Sequence, residues 1–285
     1  PIMKIFETRA DLQHVLSESR QSGQTIGLVP TMGNLHEGHL TLVDAARGQC
    51  DFVLATIFVN PLQFGPAEDL DKYPRTLEAD CKALESRNCD GVFVPSISEM
   101  YPNGLQDQTL ITVPGISEGH CGSSRPGHFS GVCTVVSKLF NLTRPDKAFF
   151  GEKDYQQLQV IRKMTSDLCF PLDIIGVPTV RLPDGLALSS RNSYLNEEQK
   201  AIAVSLQQSL QATKEKLLQG TSSMLTLERE AKDFLSDCGL KVDYFNISHA
   251  NSLKPAKTSD TDLVILAAVW VGTTRLIDNI RVRLQ

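Results

Sequence analysis

The chain has no apolar run long enough to cross a membrane, which takes about 20 residues. Its first residues, PIMKIFETRADLQ, carry charges where an export leader needs an apolar core, so export is not expected. Basic charge is not in excess: 28 Lys and Arg stand against 33 Asp and Glu, for a net charge of −5. That argues against a broad nucleic-acid-binding face and leaves room only for local basic pockets. The seven cysteines, Cys50, Cys81, Cys89, Cys121, Cys133, Cys169 and Cys238, are scattered, and no two form a CxxC pair. A disulfide framework and a structural zinc site are both disfavoured. Several fall on apolar faces and read as small buried thiols, which suits a reducing, cytoplasmic compartment. No Walker A sequence occurs, so the chain is not a P-loop enzyme, and no GxGxxG points to a dinucleotide. No Ser-His-Asp spacing, internal repeat or low-complexity tract stands out.

What is present is the texture of a globular α/β protein. The 285 residues are 41% apolar and 21% charged, enough for one large domain or two smaller ones. The organising stretch is 27–43, GLVPTMGNLHEGHLTLV. An apolar strand runs into a proline and glycine turn, and a helical pattern follows with Leu40, Val43 and Ala46 on one face. Strand, glycine turn, helix opens a nucleotide-binding α/β domain. Such a turn is expected to offer backbone N–H groups, and the helix start favours an anion, with polyphosphate the natural occupant. His36 and His39 flank Gly38 where that phosphate lies. The alternative is a turn with two solvent-facing histidines.

Further along, 51–60 is a near-continuous apolar run, as a doubly covered parallel strand should be. It ends at Asn60 and Gln63, where ligands bind in open α/β sheets, although Asn-Pro and Gly are also ordinary turn residues. Residues 65–75 are polar and read as a mobile lid. A helix over 76–88 and a strand over 91–94 lead into a long irregular stretch, 95–129, with a strand expected at 110–113. Arg125 and His128, near its end, are candidates to meet an anion. An amphipathic helix spans 132–142. A short buried strand, 147–150, then feeds Gly151, Glu152, Lys153 and Asp154 at the head of a second helix. Lys153 is a mobile point charge suited to phosphate, and Gln157 lies one turn into that helix. After a strand over 172–180, the loop 181–192 carries Ser189, Ser190 and Arg191, a set that can grip phosphate oxygens. Beyond residue 196 the pattern becomes α+β. Helices over 197–218 and 226–238 are joined by 219–223, and strands over 241–248, 262–271 and 275–282 follow. These groups together suit the stabilisation of ATP while its α-phosphate is attacked, giving an adenylate.

Six motifs carry a resemblance in order over nearly the whole chain: PTMGNLHEGH (30–39), FVNPLQF (58–64), KYPRT (72–76), SRPGHF (124–129), FGEKDYQQ (150–157) and LSSRN (188–192). They resemble the pantothenate synthetase (pantoate–β-alanine ligase) family of the HxGH nucleotidyltransferase superfamily. The resemblance implies a Rossmann-like parallel-sheet domain over 1–183 and a smaller α+β lid domain over 184–285. It implies that (R)-pantoate attacks ATP to give pantoyl adenylate and pyrophosphate, and that β-alanine then displaces AMP. It places Met32, Gly33, Asn34, Leu35, His36, Glu37, Gly38 and His39 at ATP, with Gly151, Glu152, Lys153, Asp154, Val180, Leu188, Ser189, Ser190 and Arg191. It gives Gln63 and Gln157 to pantoate, Gln63 also to β-alanine, and catalytic roles to His39, His36 and Lys153. Magnesium is expected with ATP, with Asp80 and Asp154 the carboxylates nearest the motifs. A homodimer is expected as well. Val180 is a residue that side-chain logic does not select. A relative that retains AMP in its product lacks the Gln63/Gln157 pair. A tRNA synthetase needs a basic surface, and an ATP-sensing module has no use for Lys153 and the serine–arginine loop together.

Overall fold

The computed structural model describes residues 2–220 and 222–285; Pro1, and Thr221 in the expected 219–223 linker, lie outside the described residues. The chain forms two compact units. One contains everything up to Val113, Arg125–Glu152 and Val160–Pro178; the other contains Pro114–Ser124, Lys153–Gln159 and Thr179–Gln285.

The first unit is built on six strands: β1 (Lys4–Phe6), β2 (Ile26–Thr31), β3 (Phe52–Ile57), β4 (Gly91–Phe93), β5 (Lys147–Gly151) and β6 (Asp173–Val177). Their order is β1-β4-β3-β2-β5-β6, and every pair is parallel. Each residue of β3 is buried. Because alternate strand residues point to opposite faces, both faces of the sheet are covered there. The strand order reverses between β2 and β5, and a crevice at the carboxyl ends of such a pair is where open α/β sheets bind ligands. β1 was not expected: two of its three residues are exposed and carry no period, and its pairing with Gly91 to Phe93 of β4 makes it a strand. The strand expected at 110–113 does not form. The Ile111 N–H donates to the Thr134 hydroxyl (3.0 Å) rather than to a neighbouring strand.

Helices α1 (Arg9–Gln21), α2 (Glu37–Gln49), α3 (Leu77–Ser86), the single turn α4 (Ile97–Met100) and α6 (His128–Thr143) belong to this unit, α1 packing on α6 and α2 on α3. Thr8 caps α1 by accepting from the Asp11 N–H, and Leu12 and Leu16 bury its inner face completely. Each of those leucines contributes about 1.5–3 kcal/mol. Val29, Val43, Ala46, Val53, Leu84, Val92 and Phe149 share one core beneath the opening turn.

The second unit holds the single turn α5 (Cys121–Ser124), the start of α7 (Tyr155–Asp167), α8 (Glu197–Gln219), α9 (Met224–Asp237) and an antiparallel sheet. The sheet runs β7 (Lys241–His249), β8 (Asp262–Val271), β9 (Thr274–Arg283) in sequence order. A reciprocal cap between Asn196 and Gln199 starts α8, and Gly220 in the left-handed region ends it. Leu206, Leu210, Leu235, Phe245, Ile265 and Val269 fill the core between helices and sheet. All seven cysteines are free thiols, four of them buried.

Candidate active site

The turn after β2 is shaped by two consecutive left-handed residues, Gly33 (φ +82°) and Asn34 (φ +50°). Three of its backbone donors are engaged within the chain. The Gly33 N–H donates to the Thr31 hydroxyl (3.1 Å), and the Asn34 and Leu35 N–H groups donate to the two carboxylate oxygens of Asp80 (2.9 Å each). From sequence, the amides of this turn are expected to be open to phosphate; three of them instead bond within the chain, those of Asn34 and Leu35 to an acidic residue of α3.

Two imidazoles follow at the head of α2. His36 is the N-cap of α2, and its Nδ1 accepts from the Gly38 N–H (3.0 Å). His39 reaches back, and its Nδ1 accepts from the His36 N–H (3.1 Å). A neutral imidazole that accepts at Nδ1 carries its proton on Nε2. Both rings thus present an Nε2–H donor, and they lie 4.0 Å apart, tilted by 39°. The positive end of α2 adds to the same field. Gly38 is required for space: a Cβ there would fall 2.6 Å from His36 Cε1 and 2.8 Å from its Nδ1. Met32, Asn34 and Leu35 are half-buried, while the exposed Glu37 pairs with Arg87 (2.6 Å).

At the end of β3, Asn60 is 1% exposed. Its Oδ1 accepts from the Tyr101 hydroxyl (2.6 Å), and its Nδ2 donates to Gln63 Oε1 and to the Gly131 carbonyl (3.1 Å each). The Pro61–Gln63 turn is thereby pinned, with the Gln63 amide oxygen engaged. The Gln63 carbonyl accepts from His128 Nδ1 (2.9 Å), whose Nε2 faces Arg125 (3.3 Å). Arg125 forks onto Glu68 (2.6 and 3.1 Å). Burial pushes the Glu68 carboxyl up, but the Arg125 and Gly65 hydrogen bonds outweigh it and hold the group below the usual range. Arg125 and His128, candidates for an anion from sequence, here tie the 65–75 segment to the Gln63 turn.

In the second unit, Lys153, Ser189, Asn192 and Asp278 line one small cavity. Ser189 caps the short turn Ser190–Tyr194 by accepting from the Arg191 N–H (3.2 Å). Residues 181–187 close on themselves through the Arg181–Ala187 bridge, and the Leu188 N–H donates to the Val180 carbonyl (3.0 Å). Val180 thus lies beside the Leu188 to Arg191 set, although eight positions separate it from Leu188. Gln157 is half-buried on the first turn of α7. Its neighbours Gln156 and Gln159 are buried and donate to the carbonyls of Gly119 (2.7 Å) and Ala250 (3.0 Å). Gly151 ends β5, next to β2 in the sheet, and Glu152 and Asp154 are half-buried in the turn that follows.

A magnesium cage made of protein alone does not fit these residues. Among the described residues no three His, Cys, Asp or Glu gather in metal-binding fashion. Asp80 is 3% exposed, and its oxygens already hold Asn34, Leu35 and Thr76.

The family model for pantoate–β-alanine ligase matches residues 4–281. The chain belongs to the pantoate–β-alanine ligase family. It is 53% identical over 280 residues to a pantothenate synthetase of Marinobacter nauticus, covering 98% of this chain and 99% of that one. A Pseudomonas fluorescens pantothenate synthetase is 52% identical over 283 residues, 99% of each. The crystal structure of pantothenate synthetase from Thermus thermophilus superposes with a TM-score of 0.91 at 44% identity, covering 98% of this chain and 99% of that one. A Francisella tularensis pantoate–β-alanine ligase, complexed with β,γ-ATP and β-alanine, has a TM-score of 0.83 at 34% identity, covering 98% of this chain and 97% of that one.

In this pantoate–β-alanine ligase fold, sequence reasoning overlooks the residues that hold the site from behind. Asp278, 4% exposed, takes a two-pronged grip from Arg181 (2.6 and 2.8 Å), and next to it Asn279 Nδ2 donates to the Lys153 carbonyl (2.9 Å). One point of β9 therefore orients both Lys153 and the loop leading to Ser189. The only sequence signal is an Asp-Asn pair inside an otherwise apolar strand, 276–280.

Proposed function

We infer that this protein condenses pantoate with β-alanine at the expense of ATP. A pantoate carboxylate oxygen attacks the α-phosphorus, the bond to the bridging oxygen breaks, and pyrophosphate leaves. The β-alanine amine then attacks the acyl carbon of pantoyl adenylate; AMP departs and the amine loses a proton to solvent. The observation that supports this reading is the pair of interlocked histidines at the head of α2, whose Nδ1 atoms both accept backbone N–H groups, so that both carry the ring proton on Nε2. Donors fixed before the reaction lose no reorganisation energy as charge builds on the phosphate oxygens. His39 acts by donating this hydrogen bond and need not complete a proton transfer.

Lys153, Ser189, Ser190 and Arg191 are assigned to the remaining phosphate charge. The (R)-pantoate hydroxyls and carboxylate go to Gln63 and Gln157, the second supported by its standing apart from the two structural glutamines beside it. Magnesium carried by the nucleotide would supply neutralisation of phosphate charge; no protein ligand set is assigned to it. Residues 1–183 are assigned to ATP and pantoate and 184–285 to closure over them. A cytoplasmic homodimer is proposed; no helix among the described residues is long and apolar enough to cross a membrane.

Pyrophosphate and AMP release from ATP, followed with different acids and amines, tests the chemistry. AMP is expected only with pantoate and β-alanine together; equal turnover of an unrelated acid overturns the assignment. His39→Ala should lower the adenylation rate about 10²–10³-fold, the loss of one preset donor. Near-normal adenylation in that variant removes His39 from the mechanism.

A further inference from the structure

The turn between β2 and α2 has the geometry of an anion-binding hollow, because after the left-handed Gly33 and Asn34 the successive N–H groups of Asn34 and Leu35 converge on one carboxylate. In this protein the anion at that point belongs to the chain. Asp80 Oδ2 accepts from Asn34 N–H (2.9 Å), and Oδ1 accepts from Leu35 N–H (2.9 Å) and from the Thr76 hydroxyl (3.1 Å). The carboxylate is buried, at 3% exposure, and comes from the first turn of α3, which is bound to Thr76 again through the Asp80 N–H (2.9 Å). Nothing separates it from the turn: a Cβ on Gly33 would stand 3.1 Å from Oδ2. Leu35, the last residue it holds, precedes His36, the cap of α2 that carries the interlocked imidazoles.

We propose that Asp80 is a positioning residue of the adenylation step, a built-in anion that fills the hollow, holds the Asn34 and Leu35 amides, and thereby sets His36 and His39 as groups that meet the nucleotide phosphates. This rests on the reading that the two histidines face the triphosphate. It also accounts for why the turn takes glycine and asparagine in the left-handed region while the Asn34 and Leu35 amides bond within the chain. Replacing the carboxylate frees two N–H groups and lets the segment before His36 relax.

The test uses the full chain with Asp80→Ala, Asp80→Asn and His39→Ala in parallel. Adenylation is read as pyrophosphate release from ATP and pantoate in a single turnover, and β-alanine KM is read in the complete reaction. Asp80→Ala should adenylate about 10²-fold more slowly, the scale of an ångström-sized misplacement, with β-alanine KM unchanged. Formate, the size of the missing group, should restore at least about tenfold of that loss with saturation, and chloride should not. Asp80→Asn keeps the volume but sets an amide donor against an N–H; it should be slow and unresponsive to formate. A folded Asp80→Ala that is within threefold of the unsubstituted enzyme, that formate does not restore, or whose β-alanine KM rises in parallel overturns the proposal. If Asp80→Ala does not fold, Asp80→Asn decides: slow adenylation with unchanged β-alanine KM supports it, and unsubstituted behaviour overturns it. Normal adenylation by His39→Ala overturns the histidine reading itself; slow His39→Ala beside normal Asp80 variants removes only Asp80.

Discussion

At the scale of single residues, the histidine pair depends on the glycine between it. His36 folds its ring over Gly38 to reach that residue's own N–H, so the position tolerates no Cβ. Its φ lies outside the left-handed region, and crowding alone sets the requirement. Gly38→Ala should push the ring off the cap, removing about 1 kcal/mol of stability and at least about tenfold of the adenylation rate. Denaturant unfolding and pyrophosphate release measure the two, and a variant unchanged in both would show that the ring is held by something else. That His36 and His39 stand together at the head of a helix after a buried strand was legible in the sequence. Their tautomer was not, because it is decided by which backbone N–H each Nδ1 meets.

At the scale of elements, α6 and the Pro61–Gln63 turn approach more closely than any side chain permits. A Cβ on Gly131 would stand 2.3 Å from the Leu62 carbonyl oxygen and 2.6 Å from the Gln63 nitrogen. The Gly131 carbonyl also accepts from Asn60. Gly131→Ala should displace the turn, lowering stability by about 1–3 kcal/mol and raising pantoate KM at least about tenfold. Equilibrium unfolding and initial rates over a range of pantoate concentrations check this; an unchanged KM would separate the position of Gln63 from pantoate binding. The helix itself was readable from its apolar period, although it begins at His128, four residues before the expected 132. The strand expected at 110–113 failed for lack of a partner, which no local pattern reveals.

At the scale of the whole molecule, stability on the acid side involves a buried imidazole. His120 Nε2 donates to the Leu253 carbonyl (2.9 Å), and its Nδ1 accepts from Asn246 (2.8 Å). Burial lowers its pKa, partly offset by the Leu253 hydrogen bond. A histidine whose folded pKa is depressed binds fewer protons than in the unfolded chain, so its contribution is intact above the unfolded value, about 6.5, and declines as pH falls below it. As pH falls below about 6.5, the Tm of the unsubstituted protein should drop more steeply than that of His120→Gln. Parallel Tm profiles would assign the acid loss to other groups. Glu68, held below the usual carboxylate range, adds its own loss only at lower pH.

The sequence by itself determined the α/β then α+β order of elements, the chemistry of the strand-end motifs, and the family through six ordered motifs. These follow from local period, turn chemistry and residue type, which are written along the chain. Only the tertiary structure decided that the opening turn between β2 and α2 directs its Asn34 and Leu35 amides at Asp80, 45 positions beyond Leu35. It alone brought Val180 beside Leu188, distinguished Gln157 from Gln156 and Gln159, and placed Asp278 and Asn279 behind Lys153 and Arg181. Each of these is a hydrogen bond between distant segments. Such a bond forms when buried polar groups must find partners, and a single sequence does not record which partner lies within reach.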